Sequence, residues 1–220
     1  MTFENRADAG RRLAAALSAY ADRKPIVLAL PRGGVPVGAI VAAALDAPLD
    51  LVLVRKIGTP GQPELALGAV VDGGNPTIVR NERILASTGT SAAEFDAISR
   101  REMAEIERRR IRYLGKRAPL DVAGRVVIVV DDGIATGATM RVALRSTRRR
   151  GPASLVLAVP VALPDALESL RPEVDGMICL ASPEEFFGVG QFYDDFRQVT
   201  DDEVVALLAH PAGEAVPTRR

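Results

Sequence analysis

Short apolar runs alternate with helical patterns along most of this chain. The runs lie at residues 26–30, 51–54, 126–130, 155–161 and 176–180, and helical patterns lie at 35–45, 140–150 and 164–170. Strands that are apolar on both faces are typical of a parallel sheet covered by helices on both sides. The pattern therefore predicts an α/β fold with a mostly parallel central sheet. In such sheets ligands bind beyond the carboxyl ends of the strands.

Other segments interrupt this alternation. Residues 1–23 predict a leading helix, and residues 57–76, rich in glycine and proline, predict a flexible loop that leads into a short hairpin strand. Residues 181–209 predict a small cap, formed together with the inserted segments, and residues 210–220 a disordered tail. We therefore expect one domain over residues 1–209.

Residues 91–117 predict a long helix that carries many charges. Its arginines, Arg108, Arg109, Arg110 and Arg112, lie among the acids Glu102, Glu105 and Glu107. Such a helix either contacts nucleic acid or presents a solvated face with local ion pairs. The whole chain has 28 basic and 28 acidic residues, so its net charge is zero, and this balance favours the solvated face.

Composition excludes several classes of protein. A hydrophobic fraction of 48% argues against a disordered chain, and the single cysteine, Cys179, excludes a disulfide framework within the chain. No apolar stretch approaches the roughly 20 residues of a membrane helix, and the first residues lack the apolar core of a signal peptide. We expect a cytoplasmic protein without a membrane or nucleic-acid partner.

The strongest chemical signal is the segment VVIVVDDGIATGATMRVAL at residues 126–144. An apolar run ends in Asp131 and Asp132, and a loop rich in glycine and threonine leads into a helix that begins near Thr139. Backbone N–H groups at a helix N-terminus form an anion cradle. Because a bare acidic pair repels phosphate, Asp131 and Asp132 should face hydroxyls or a cation. A sugar phosphate meets both demands.

Residues 127–139 resemble the 5-phosphoribosyl-1-pyrophosphate (PRPP) motif of the type I phosphoribosyltransferases, and the resemblance extends over residues 26–199. It implies that Asp131 and Asp132 bind the ribose hydroxyls. It also implies a loop around the 5-phosphate, formed by Gly133, Ile134, Ala135, Thr136, Gly137, Ala138 and Thr139. Hypoxanthine-guanine enzymes place an aspartate where this chain has Ala135, whereas adenine- and orotate-type enzymes carry a small residue there.

Two further segments resemble the parts of that family that bind the leaving pyrophosphate. Arg32, Gly33 and Gly34 follow the first apolar run and resemble the pyrophosphate loop, in which we expect a non-proline cis peptide near Arg32. Arg55 and Lys56 follow the run 51–54, at the carboxyl end of another predicted strand, and Lys56, one of three lysines, should reach the pyrophosphate. The loop after it resembles the flexible catalytic loop of the family. Glu64 in that loop is either a proton acceptor or a plain solvated residue.

The segment after residue 180 holds five of the nine aromatic residues of the chain, which indicates either a small satellite core or an acceptor pocket. Its resemblance to purine salvage enzymes implies that Phe187 stacks on a base beside Val189, and that Asp194 or Asp195 binds metal. Those enzymes read the 6-oxo group with a lysine, but no lysine follows Lys116. Hypoxanthine or guanine therefore cannot be named as the acceptor.

The resemblance implies a Mg2+-dependent enzyme of nucleotide salvage that transfers the phosphoribosyl group from PRPP to a nitrogen nucleophile, such as a nucleobase, and releases pyrophosphate. The expected partners are PRPP, a small-molecule acceptor and a second copy of the chain in a homodimer. A PRPP- or nucleotide-sensing module of the same fold is the alternative, although no helix-turn-helix or basic RNA-binding face accompanies the motif. A third possibility is a generic phosphosugar-binding domain.

Overall fold

The central element is a parallel sheet of five strands, as the alternating pattern predicts. The computed structural model describes residues 2–72 and 77–209. The strands of this sheet are β1 (Ile26–Ala29), β2 (Leu49–Leu51), β6 (Val126–Val130), β7 (Ser154–Val161) and β8 (Gly176–Ala181). They lie in the order β2-β1-β6-β7-β8, and every neighbouring pair is parallel.

Helices cover both faces of this sheet. They are α1 (Arg6–Ala16), α2 (Gly34–Ala44), α5 (Ala138–Arg149) and α6 (Pro164–Leu170). On one face α1 and α2 pack against one set of strand side chains, including Ile128, and on the other α5 and α6 pack against the alternate set, including Leu28. Because both sets are apolar and buried, the strands read as unbroken apolar runs.

The chain leaves the parallel sheet after β2 and forms a second sheet of three antiparallel strands. These are β3 (Val54–Thr59), β4 (Gln62–Val71) and β5 (Thr77–Arg80). The expected flexible loop at residues 57–76 was wrong for most of its length, because residues 62–71 form a strand that pairs with β3 and, over residues 68–71, also with β5. Residues 73–76 of that prediction lie outside the described residues. At Gly68 the β5 backbone comes so close that a Cβ would overlap the Val79 carbonyl. That glycine permits close strand packing and does not mark a loop.

The remaining helices complete the structure around this second sheet. After α3 (Glu82–Thr88), α4 (Ala92–Leu114) packs on the second sheet and buries Phe95 and Ile106. The cap segment contains a 3-10 turn at Val189–Phe192 and α7 (Asp201–Ala209), whose Val204 joins the same apolar cluster as α4. The expected tail at residues 210–220 lies outside the described residues.

Among the helices of the described ranges, none combines the length and the apolar character that a membrane span requires.

Candidate active site

The loop between β6 and α5 adopts the predicted position at the carboxyl end of a central strand. Ile134 is buried and anchors the loop, since its N–H donates to the Val161 carbonyl and its own carbonyl accepts from the N–H of Leu163. Gly137 has a φ of 73°, a left-handed conformation suited to glycine, and α5 begins at the next residue. The first N–H groups of α5 therefore have no partners within the helix and can receive an anion.

Most of that loop remains accessible. Ala135, Thr136, Ala138 and Thr139 are exposed, whereas Gly137 is buried against Leu170 and Ala166 of α6. Gly133 leaves room for Val189, because a Cβ there would overlap that side chain. The loop thus has a fixed base and an open rim, which suits a cradle for a phosphate group. Its role in binding the 5-phosphate remains a prediction.

Asp131 and Asp132 are adjacent but have different surroundings. Asp132 is 9% exposed, and its Oδ2 accepts from Nε of Arg6 at 2.8 Å. Asp131 Oδ1 accepts from the backbone N–H of Asp132 at 2.9 Å. Burial, and then the neighbouring charge of Asp132, raise the pKa of Asp131 well above its usual range. The pair therefore consists of one carboxylate neutralised by arginine and one whose negative charge has no arginine beside it among the described residues and would be stabilised by a cation or by sugar hydroxyls.

Arg6 was not found by sequence reasoning, although it contacts the predicted sugar site. Its guanidinium carbon lies 3.9 Å from the centre of the Phe196 ring, and its Nη1 donates to the Arg197 carbonyl at 2.8 Å. Tyr193 donates its O–H to the Asp132 carbonyl, and burial raises the pKa of that phenol. The leading helix and the cap therefore hold Asp132 in place. No local sequence signal marks Arg6.

The Pro31–Arg32 peptide is cis, which confirms the expected non-proline cis bond. Gly33 and Gly34 lie between this corner and the acidic pair. A Cβ on Gly33 would overlap the Asp132 carboxylate, and one on Gly34 would lie 2.8 Å from the Val130 carbonyl oxygen. The two glycines are therefore required by the close packing of the β1 corner against the end of β6.

Arg55 and Lys56 do not follow the carboxyl end of a parallel strand, so that prediction was wrong. The run at residues 51–54 spans the end of β2 and the start of β3, and both residues lie within β3. Arg55 forms an ion pair with Glu102 of α4, with its Nη2 2.7 Å from Oε2. Both ends of the run are apolar because each belongs to a packed sheet, so hydrophobicity alone could not reveal the break.

Two cavities lie on the side of the molecule formed by the second sheet and α4. The larger, about 680 Å³, lies between β3 and α4 and is lined by Lys56 and Arg101 among others. The smaller, about 230 Å³, lies at the Pro31–Arg32 corner. Arg109 lines both cavities, whereas Lys56 lines only the larger one. Contact of Lys56 with pyrophosphate stays a prediction, and the Glu64 side chain lies outside the described residues.

The predicted acceptor and metal residues lie on the cap. Phe187 is 95% exposed, and Val189 packs against the phosphate loop at Gly133. Asp194 and Asp195 are also exposed, and their backbone N–H groups donate to the carbonyls of residues 3 and 4. Their roles in stacking and metal binding stay predictions.

Within residues 2–72 and 77–209 no three carboxylate, cysteine or histidine side chains form a cluster that could hold a metal ion. Mg2+ often binds through one or two protein carboxylates together with substrate phosphates and water. Asp131 is a carboxylate beside the expected sugar-phosphate position, and its Oδ1 accepts a hydrogen bond from the backbone. The donor set therefore fits a cation carried mainly by a phosphorylated substrate.

Comparison with known proteins agrees with this geometry. Two strain versions of a Mycobacterium tuberculosis protein, named "Putative phosphoribosyl transferase" Rv0571c and MT0597, are each 45% identical to this chain over 206 residues. The match covers 94% of this chain but 46% of theirs, so the chain spans about half the length of these curated relatives.

The crystal structure of TT1426 from Thermus thermophilus has a TM-score of 0.83 and 42% identity, covering 97% of this chain and all of that one. The family model described as "Phosphoribosyl transferase domain" matches residues 2–197, which include the phosphate loop, the acidic pair and the cis-peptide corner. This chain belongs to the phosphoribosyl transferase domain family.

Proposed function

We propose that this protein transfers the 5-phosphoribosyl group from PRPP to a nitrogen nucleophile and releases pyrophosphate. The observation that carries the proposal is that the loops after β1 and β6 lie side by side, because these two strands are neighbours in the parallel sheet. The β6 loop supplies an anion cradle beside Asp131, and the β1 corner supplies Arg32. The Leu30 N–H donates to the Val130 carbonyl at 3.0 Å and joins the ends of the two strands. A sugar that carries phosphate at one end and pyrophosphate at the other fits both.

Each corner has a distinct part in this reaction. The N–H groups at the start of α5 hold the 5-phosphate, and Asp131 accepts hydrogen bonds from the ribose diol. Cleavage of the C1–O bond develops positive charge on the ribose ring and negative charge on the leaving pyrophosphate, as in glycoside cleavage. Arg32 then stabilises the developing charge on the leaving group.

Mg2+ bound with PRPP supplies charge neutralisation of the pyrophosphate. Asp131 is the residue of this chain best placed to hold it, because Asp132 is already paired with Arg6. The reaction requires no covalent nucleophile from the protein. A nucleobase acceptor would enter from the cap side, where Phe187 exposes an aromatic face and Val189 contacts the phosphate loop.

The decisive experiment incubates the protein with PRPP and Mg2+ and a panel of nucleobases, and measures pyrophosphate release. We expect release with at least one acceptor, and a loss of at least about 100-fold when Asp131 is replaced by Asn, because a charged hydrogen-bond acceptor for the diol is lost. Binding of PRPP without turnover on any acceptor would favour the sensing module, and no PRPP binding at all would refute both.

A further inference from the structure

The small cavity at the Pro31–Arg32 corner is lined by three arginines. Arg32 comes from the β1 corner, and Arg108 and Arg109 come from α4, which follows the second sheet. Tyr113 and Asp201 complete the lining. Three guanidinium groups face one carboxylate, so the cavity carries an excess of positive charge. Its volume of about 230 Å³ is smaller than the usual pocket for a whole nucleotide-sized ligand, about 300–1,000 Å³, and suits a compact anion.

The two arginines of α4 are held in place by one glutamate. Glu105 accepts from Arg108 through Nε at 2.8 Å and Nη2 at 2.9 Å, and from Nε of Arg109 at 2.8 Å. The pair holds the pKa of Glu105 down at about 2, so this carboxylate is charged at neutral pH. One negative charge cannot neutralise two guanidinium groups. Glu105 therefore orients Arg108 and Arg109 and leaves them able to bind a further anion.

Asp201, the first residue of α7, supplies the one carboxylate in the cavity lining. Its Oδ1 accepts from the Tyr113 O–H at 2.7 Å and lies 3.5 Å from Nη1 of Arg32. Its Oδ2 lies 3.2 Å from Nε of Arg112. The contact with Arg32 is the longest of the three. A carboxylate that reaches Arg32 in this way occupies a position that a phosphate oxygen would also favour.

We infer that α4 completes the pyrophosphate subsite: Arg108 and Arg109 bind the leaving diphosphate from the side opposite Arg32, and Asp201 competes with the diphosphate for Arg32. The inference rests on the proposed function. It places the leaving-group arginines on a helix far along the chain from the β1 corner, where the sequence offered Lys56 and a flexible loop. Binding of the diphosphate requires Arg32 to exchange its contact with Asp201 for one with phosphate.

The test is calorimetric titration of the full chain with pyrophosphate, with and without Mg2+, and separately with ribose 5-phosphate, which lacks the leaving group. Replacing Arg108 or Arg109 by Gln should weaken pyrophosphate binding about tenfold or more, the effect of removing one charge-assisted contact. Ribose 5-phosphate binding should stay within about twofold. The matched control is Arg100→Gln, which removes a charge from the exposed surface of the same helix and from neither cavity.

A second variant distinguishes the loss of a binding contact from the loss of folding, because it should increase affinity. Asp201→Asn keeps the shape of the side chain but removes the competing charge, so pyrophosphate should bind severalfold more tightly. The inference is overturned if the Arg108 and Arg109 variants match wild type, or if Lys56→Gln alone weakens binding, which would place the diphosphate in the larger cavity. If wild type binds neither PRPP nor pyrophosphate nor ribose 5-phosphate, the proposed function itself fails.

Discussion

Asp131 and Asp132 share a sequence motif but contribute to stability with opposite sign. Asp132 balances the partly buried guanidinium of Arg6, whereas Asp131 is partly buried beside a like charge. A carboxyl whose pKa is raised in the folded state gives its full stability below its ordinary pKa of about 3.9, and loses it as the pH rises toward the raised folded value. At neutral pH the charged form of Asp131 therefore lowers stability.

Replacing each acid by Asn should separate these effects. Asp132→Asn leaves Arg6 without its charged partner and should lower the free energy of unfolding by about 2–3 kcal/mol. Asp131→Asn should raise it, with a gain over wild type that grows as the pH rises above about 4. Urea unfolding at several pH values checks both. Equal destabilisation by the two changes would contradict the assigned roles.

Packing leaves no room for a side chain at the glycines of the β1 corner. Gly34→Ala places a Cβ 2.8 Å from the Val130 carbonyl oxygen and 2.9 Å from Cα of Asp131, both backbone atoms that cannot easily move. We expect a loss of about 1–3 kcal/mol of unfolding free energy, the usual cost of overpacking. Gly188→Ala is the control. Gly188 has an extended backbone with no atom within 4 Å of the new Cβ, and it should stay within about 0.5 kcal/mol of wild type.

At the scale of elements, the N-terminus of α4 is fixed by a capping box. The Ser91 hydroxyl accepts from the N–H of Glu94, whose carboxylate accepts in return from the N–H of Ser91 at 2.9 Å. Ser91→Ala should therefore cost about 1 kcal/mol of unfolding free energy. Ser87→Ala, which removes only an exposed hydroxyl bonded within α3, should change it by less than about 0.5 kcal/mol. Equal losses in the two variants would argue against the capping role.

The sequence predicts helices and strands correctly where burial alone decides the pattern of apolar residues. The core strands β1, β6 and β7 are buried on both faces, so their apolar runs are unambiguous. The prediction fails at residues 51–72, where one apolar run crosses from one sheet to another and Gly68 permits close strand packing. The same contrast holds for the site. The phosphate loop is contiguous in sequence, whereas Arg6, Arg109 and Asp201 meet the site only through tertiary packing.

At the scale of the whole molecule, the two sheets divide the proposed substrate between them. The parallel sheet presents the phosphate loop, the acidic pair and Arg32, and the second sheet with α4 presents Arg108 and Arg109 of the small cavity. Glu102 joins β3 to α4: it is 5% exposed, and it accepts from Nε of Arg55 at 2.8 Å and from Nη2 of Arg101 at 3.2 Å. This contact fixes α4 on the second sheet without touching the parallel one.

Glu102→Gln should therefore affect the two ends of the substrate unequally. Loss of the charge weakens two arginine contacts and should lower the free energy of unfolding by about 1–2 kcal/mol, since Arg55 and Arg101 remain partly solvated. Pyrophosphate binding should weaken because α4 carries Arg108 and Arg109, while ribose 5-phosphate binding should not. Parallel titrations with the two ligands measure this difference. An equal loss for both would mean that α4 and the phosphate loop respond as one unit, and that the leaving group and the sugar are not held by separate parts of the fold.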